Sequence, residues 1–169
     1  IDEQKLELEN GLVMVTCADG DRFFDTFGHK AKLFKTDEAI NKPRIHVLTR
    51  NGGALRLINN ISPECGDDLA LTLNESGSTM ANDLLFEIKE SLSLKKMRQV
   101  ALYIHMPCGK ASSHNIFPAE ALQGLALAKR RIIFHIPKVK VMTYCHVDYC
   151  QFESGKEKTY FVDVNKITL

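Results

Sequence analysis

Gln99-Val100-Ala101-Leu102-Tyr103-Ile104-His105-Met106-Pro107-Cys108-Gly109 is the stretch on which the reading of this chain turns. Its first six residues form an apolar run that predicts a buried strand. The loop leaving that strand carries a histidine and a cysteine three residues apart, which can grip one metal ion from the same side. Two protein ligands do not satisfy zinc, which takes three or four. A third is available in Cys17, which ends an earlier run of apolar and β-branched residues, Leu12-Val13-Met14-Val15-Thr16. If the two runs are neighbouring parallel strands, Cys17, His105 and Cys108 meet at one carboxyl edge of the sheet. Open α/β sheets place their chemistry at that edge.

Working outward, Leu12 to Thr16 is the kind of continuous run that a strand covered on both faces requires. Ala18-Asp19-Gly20-Asp21-Arg22 reads as a turn, and Phe23, Phe24 and Phe27 beyond it predict core or interface packing. A helix is expected over 31–41, stopped before Pro43. Arg44 to Thr49 is a second strand, running into Arg50-Asn51-Gly52-Gly53-Ala54. The paired glycines there suggest a tight turn or close approach of the backbone to something bound. Residues 58–77 are loop-rich. From Ser78 to Leu94 apolar residues recur at helical intervals, with Ser78 a suitable cap and the charged face solvated. Pro118 to Arg131 predicts a further helix, with Lys129-Arg130-Arg131 favourable to its dipole. Val139 to Val147 is a strand near an edge. Beyond Gly155, Thr159 to Val164 pairs back on it as a hairpin. Residues 1–10 predict a short arm or helix.

The pattern predicts one α/β domain over residues 1–169, a mainly parallel sheet flanked by helices with a C-terminal antiparallel strand. A length of 169 residues allows one sizeable core. A formal net charge of +1 points away from nucleic acid and membrane surfaces. No apolar run approaches the roughly 20 residues of a membrane helix. No signal peptide is visible, although a chain that starts at Ile1 leaves a trimmed leader open. Five cysteines, three of them at or near the ends of apolar runs, favour reduced thiols and a cytoplasmic location over a disulfide frame.

Each candidate ligand has a plainer reading. A buried cysteine is common, and a histidine at a strand end is usually a satisfied polar residue. Cys145-His146 with Cys150 forms a rival cluster, but successive strand residues point to opposite faces, so Cys145 and His146 cannot easily share an ion. A nucleophilic Cys-His pair, Cys108 with His114 or His135, lacks an acid partner or an oxyanion loop.

Three segments carry a resemblance to a known family. Cys17-Ala18-Asp19-Gly20-Asp21-Arg22 resembles the Cys-x-Asp-x-Arg signature of the β-class carbonic anhydrases. Arg50-Asn51-Gly52-Gly53 resembles their Arg-Asn-Ala-Gly segment, and His105-Met106-Pro107-Cys108-Gly109 their His-x-x-Cys-Gly. The order is the family's, and the resemblance spans roughly residues 11–150. It implies Zn2+ held by Cys17, His105 and Cys108, and reversible hydration of carbon dioxide to bicarbonate by hydroxide generated at zinc. Asp19 would orient the water or swing in as a further metal ligand, and Arg22 would hold Asp19 in the open form. Arg22 stands one position late, with Asp21 where the family has its arginine. That departure favours a non-catalytic zinc-binding homologue closed by Asp19 as one alternative. Hydrolysis of a related small molecule such as carbon disulfide or carbonyl sulfide is the other. The family's pockets form between subunits, which together with the phenylalanines implies a homodimer or higher homo-oligomer.

Overall fold

The computed structural model describes residues 11–33, 44–58, 79–113, 115–149 and 157–164. Strand β1 spans Leu12–Thr16, followed by helix α1 over Gly20–Leu33 and strand β2 over Ile45–Thr49. A 3-10 turn at Gly53–Leu57 precedes helix α2, Thr79–Leu94. Strand β3, Gln99–Met106, leads into the single helical turn α3 at Gly109–Ser112 and then into helix α4, Pro118–His135. Strands β4, Lys140–Asp148, and β5, Glu157–Phe161, complete the sheet.

The five strands lie in the order β2-β1-β3-β4-β5. The first four are mutually parallel, and β5 runs antiparallel to β4. This is the expected α/β class. From β1 the chain crosses to β2 on one side, whereas from β3 it crosses to β4 on the other. The strand order therefore reverses direction between β1 and β3, and such a switch point opens a crevice at the carboxyl ends of the two strands.

Both faces of the sheet are covered, which explains why β1 shows no polar alternation. Val13 and Val15 join Val100, Leu102, Ile104 and Cys145 in a core sealed by Leu84, Leu85 and Ile88 of α2 and Leu125 and Ile132 of α4. Leu12, Met14, Ala101, Tyr103 and Tyr144 fill the opposite face, where Phe27 of α1 packs on them. At roughly 1.5–3 kcal/mol for each large apolar side chain buried, these two layers dominate the stability of the sheet.

Several sequence expectations change. The first helix begins at Gly20, not near Ala31. The Asp19 carbonyl accepts the Phe23 amide at 3.0 Å, so the Asp-Gly cluster is a helix start, not a free turn. Residues 34–41, the remainder of the expected helix, lie outside the described residues. Phe23 and Phe27, four apart, share the inner side of α1, while Phe24 is 76% exposed. His105 sits within β3, because the strand runs two residues further than the apolar run suggested.

Helix α4 extends to His135, which moves Arg131 out of its last turn. Arg131 is buried and donates to Asn82 Oδ1 of α2 at 2.7 Å, so it serves packing between helices more than the helix dipole. Strand β4 is interior, with β5 outside it. Lys140 is exposed because it starts the strand, not because it borders solvent along its length. The expectations for residues 1–10, the loop-rich stretch 59–77, Ser78, His114, Cys150 and Gly155 fall outside the described residues.

Candidate metal centre

Cys17, His105 and Cys108 come together at the switch point. One ligand atom from each lies within 4.8 Å of the others, and all three residues are buried. Cys17 follows β1 directly, His105 is the penultimate residue of β3, and Cys108 precedes the α3 turn. Cys145 lies on the α2–α4 face, whereas its neighbour His146 lies on the α1 side beside Tyr144. The rival pair is thus split by the pleat, as strand alternation requires.

The backbone sets each ligand. The Gly52 amide donates to Cys17 Sγ at 3.3 Å. Gly52 and Gly53 both have positive φ, at 92° and 55°. At Gly53 a Cβ would lie 2.7 Å from the Tyr103 carbonyl oxygen and 2.9 Å from the Cys17 nitrogen. The paired glycines therefore let the 3-10 turn press against the ends of β1 and β3, which only glycine permits. At His105, Nδ1 lies 2.8 Å from the Pro107 carbonyl oxygen. A carbonyl can only accept, so Nδ1 carries the proton and Nε2 keeps its lone pair. Nε2 is buried and has no hydrogen-bond partner.

Asp19 stands at the mouth of the site, its Oδ2 3.9 Å from His105 Nε2 and its side chain 40% exposed. A lone pair and a carboxylate oxygen do not attract one another, but a cation between them satisfies both. The sulfurs repeat that pattern. The bond to Cys108, opposed by burial and aided by the Gly52 and Asp19 backbone, lowers the Cys17 thiol well below its ordinary value. The Cys108 thiol is pushed the other way, first by its bond to Cys17 and then by burial. The opposite shifts favour a thiolate at Cys17 beside a thiol at Cys108, and a bound cation would favour the thiolate at both. The Ala111 and Lys110 backbone of the α3 turn opposes the rise at Cys108.

These donors line a cavity of about 320 Å³ together with Asp19, Asn51 and Lys110. Two thiolates and one imidazole fit a borderline-soft divalent ion, and the open side leaves a fourth position for water or a reactant. The residues present can hold a metal ion.

Arg22, the residue expected to hold Asp19, reaches the end of β4. Its guanidinium makes an ion pair with Asp148, the last residue of β4 and almost wholly buried. The side chain of Asp21 is not among those described. Arg50, of the Arg-Asn-Gly-Gly segment, pairs with Glu87 of α2 and so ties the glycine turn to that helix. His135 is the last residue of α4 and is not part of the cluster found among the described residues. Sequence reading missed Asp148, which an isolated acidic residue at a strand end does not advertise. It also missed Lys110, which resembles any surface lysine until Gly52 is seen beside it.

No family model matches the chain, and neither does any curated protein or solved structure. Among the described residues no helix is long and apolar enough to cross a membrane.

Proposed function

We propose that this chain is a zinc-dependent carbonic anhydrase that interconverts carbon dioxide and bicarbonate, with Cys17, His105 and Cys108 holding the ion. The observation that carries the reading is the buried, unpartnered His105 Nε2 facing two sulfurs and a carboxylate at a topological switch point. The three motif resemblances, Cys17-x-Asp19, Arg50-Asn51-Gly52-Gly53 and His105-x-x-Cys108-Gly109, add the choice of reaction.

Zinc bound there supplies acidity to water, lowering its pKa from about 15.7 to about 7. The rest falls to the chain. Asp19 accepts a hydrogen bond from the reacting water and orients it, while the covered sheet edge excludes bulk solvent from the sulfurs. Overall, one water adds to carbon dioxide and one proton leaves for solvent.

A second reading has its own support. Asp19 Oδ2 already stands 3.9 Å from His105 Nε2, close enough to serve as a fourth ligand in a closed site where the ion serves the fold. Metal analysis followed by stopped-flow carbon dioxide hydration at about pH 7 and about pH 9 separates the two. The enzyme reading expects about one zinc per chain and activity that rises with pH. Full zinc with no hydration at either pH sinks it and leaves the closed site.

The exposed Phe24 beside the site supports a homodimer in which a second copy covers α1. A monomer in sedimentation at micromolar protein removes that assembly. Cys17, Cys108 and Cys145 are free thiols, which fits a reducing, cytoplasmic compartment.

A further inference from the structure

Lys110 follows directly from the metal loop and is held in an unusual place. Its stem crosses Gly52, where an added Cβ would meet Lys110 Cγ at 3.3 Å and Cβ at 3.8 Å. Gly52 has a φ of +92°, a conformation that already selects glycine. The missing side chain makes room for the lysine stem, so turn and lysine fit as a pair. The same glycine's amide donates to Cys17, so the lysine is anchored on the turn that also holds a ligand. Lys110 is half-buried and lines the cavity of the metal centre. Apart from the candidate ligand His105, it is the one basic side chain among the residues lining that cavity.

Charge gives that placement a consequence. Two thiolates cancel the charge of a divalent ion, so a site built on Cys17, His105 and Cys108 is neutral, unlike one built on three histidines. Asp19, lining the same cavity, makes it negative. A neutral reactant enters such a site without penalty, whereas an anion is repelled. A single ammonium at the rim restores the balance, and as a compact point charge it suits a small oxyanion of any orientation.

We propose that Lys110 binds and positions the anionic reactant at this centre, and that its ligand class is small monovalent anions such as bicarbonate. The proposal rests on the metal reading above and adds the residue that gives the site its affinity for anions.

The test uses the full chain loaded with cobalt(II), whose visible absorption reports ligands that reach the metal. Bicarbonate and thiocyanate serve as anionic probes, and imidazole as a neutral one. In Lys110→Met both anions should bind about tenfold more weakly, as expected for the loss of one partly exposed charge. Imidazole affinity and cobalt content should stay at wild-type values, and Lys110→Arg should restore anion binding to within about twofold. Raising salt should narrow the gap between wild type and Lys110→Met. Equal anion affinity in wild type and Lys110→Met overturns the proposal while leaving the metal centre intact. A parallel loss of imidazole binding also overturns it, because Lys110 would then only be supporting the loop. Failure of the wild-type chain to bind cobalt or zinc removes the metal reading itself, and this proposal with it.

Discussion

His105 and His146 occupy the same register position on adjacent parallel strands and are both buried. Each engages Nδ1 in a hydrogen bond, leaves Nε2 without one, and has an aspartate oxygen 3.9 Å from Nε2. One belongs to a candidate metal centre and the other does not. The difference lies in what the neighbouring strands deliver. His105 meets two sulfurs because β1 ends in Cys17 and the loop after β3 returns Cys108. His146 meets Thr159 Oγ1 of β5, with Asp25 and the Arg22–Asp148 ion pair nearby. The comparison teaches that a buried imidazole becomes a ligand through its partners, not through its own burial or strand position.

The largest expected effect breaks the comparison at the sulfurs. Cys108→Ser should reduce metal content to background and lower the melting temperature, because two remaining ligands do not hold zinc. Cys145→Ser and His146→Asn should keep about one metal per chain. Elemental analysis of the purified variants checks all three, and a variant at position 145 that loses the metal would move the centre to the wrong face of the sheet.

Next in size is the ion pair on the His146 side. Asp148→Asn removes one charged partner of the Arg22 guanidinium in a largely buried place, and removal of one member of such a pair costs up to about 3–5 kcal/mol. Chemical denaturation should show that loss with metal content retained. A neutral result would mean that the pair is screened like a surface one.

A smaller effect is expected from Gly53→Ala, which forces a Cβ into the Tyr103 carbonyl and the Cys17 amide. Strain of this kind costs on the order of 1–3 kcal/mol. Because it displaces a ligand, metal affinity should fall as well. Lys138→Gly, at another positive φ but far from the sulfurs in sequence, should leave metal affinity unchanged. Isothermal titration with zinc compares the two.

The smallest effect concerns pH. Burial, opposed by Asp25 and reinforced by Arg22 and His105, lowers the His146 pKa from 6.5. The unfolded chain then takes up a proton at a pH where the folded one does not. Stability is therefore full above pH 6.5 and is lost as pH falls through the folded value. The melting temperature of the wild type should drop below that pH more steeply than that of His146→Asn, and parallel curves would show that the imidazole does not titrate on unfolding.

Much of this was legible in the chain. Leu12 to Thr16 and Gln99 to Ile104 read as buried strands because a strand covered on both faces must be apolar at every position. Gly52-Gly53 read as a tight turn or an approach to something bound; the turn is there, and what the backbone approaches is the ends of β1 and β3. The convergence of Cys17 with His105 and Cys108 followed from assuming that the two runs were parallel neighbours, which β1 and β3 are. The helix at Gly20 was missed because aspartate and glycine serve both turns and helix starts, and only the Phe23 amide bond to Asp19 tells them apart.

The sequence by itself determined the strand and helix periods, the layer class and the three ligand types, since these depend on local pattern and on which residues lie at strand ends. Tertiary structure alone decided the partners. Arg22 meets Asp148 across 126 positions of chain, Arg131 turns inward to Asn82, and Lys110 lies across Gly52. Charge and length make an arginine or lysine able to reach many acids or cavities. Which one it reaches is set by the packing of strands and helices, through distances that no spacing along the chain records.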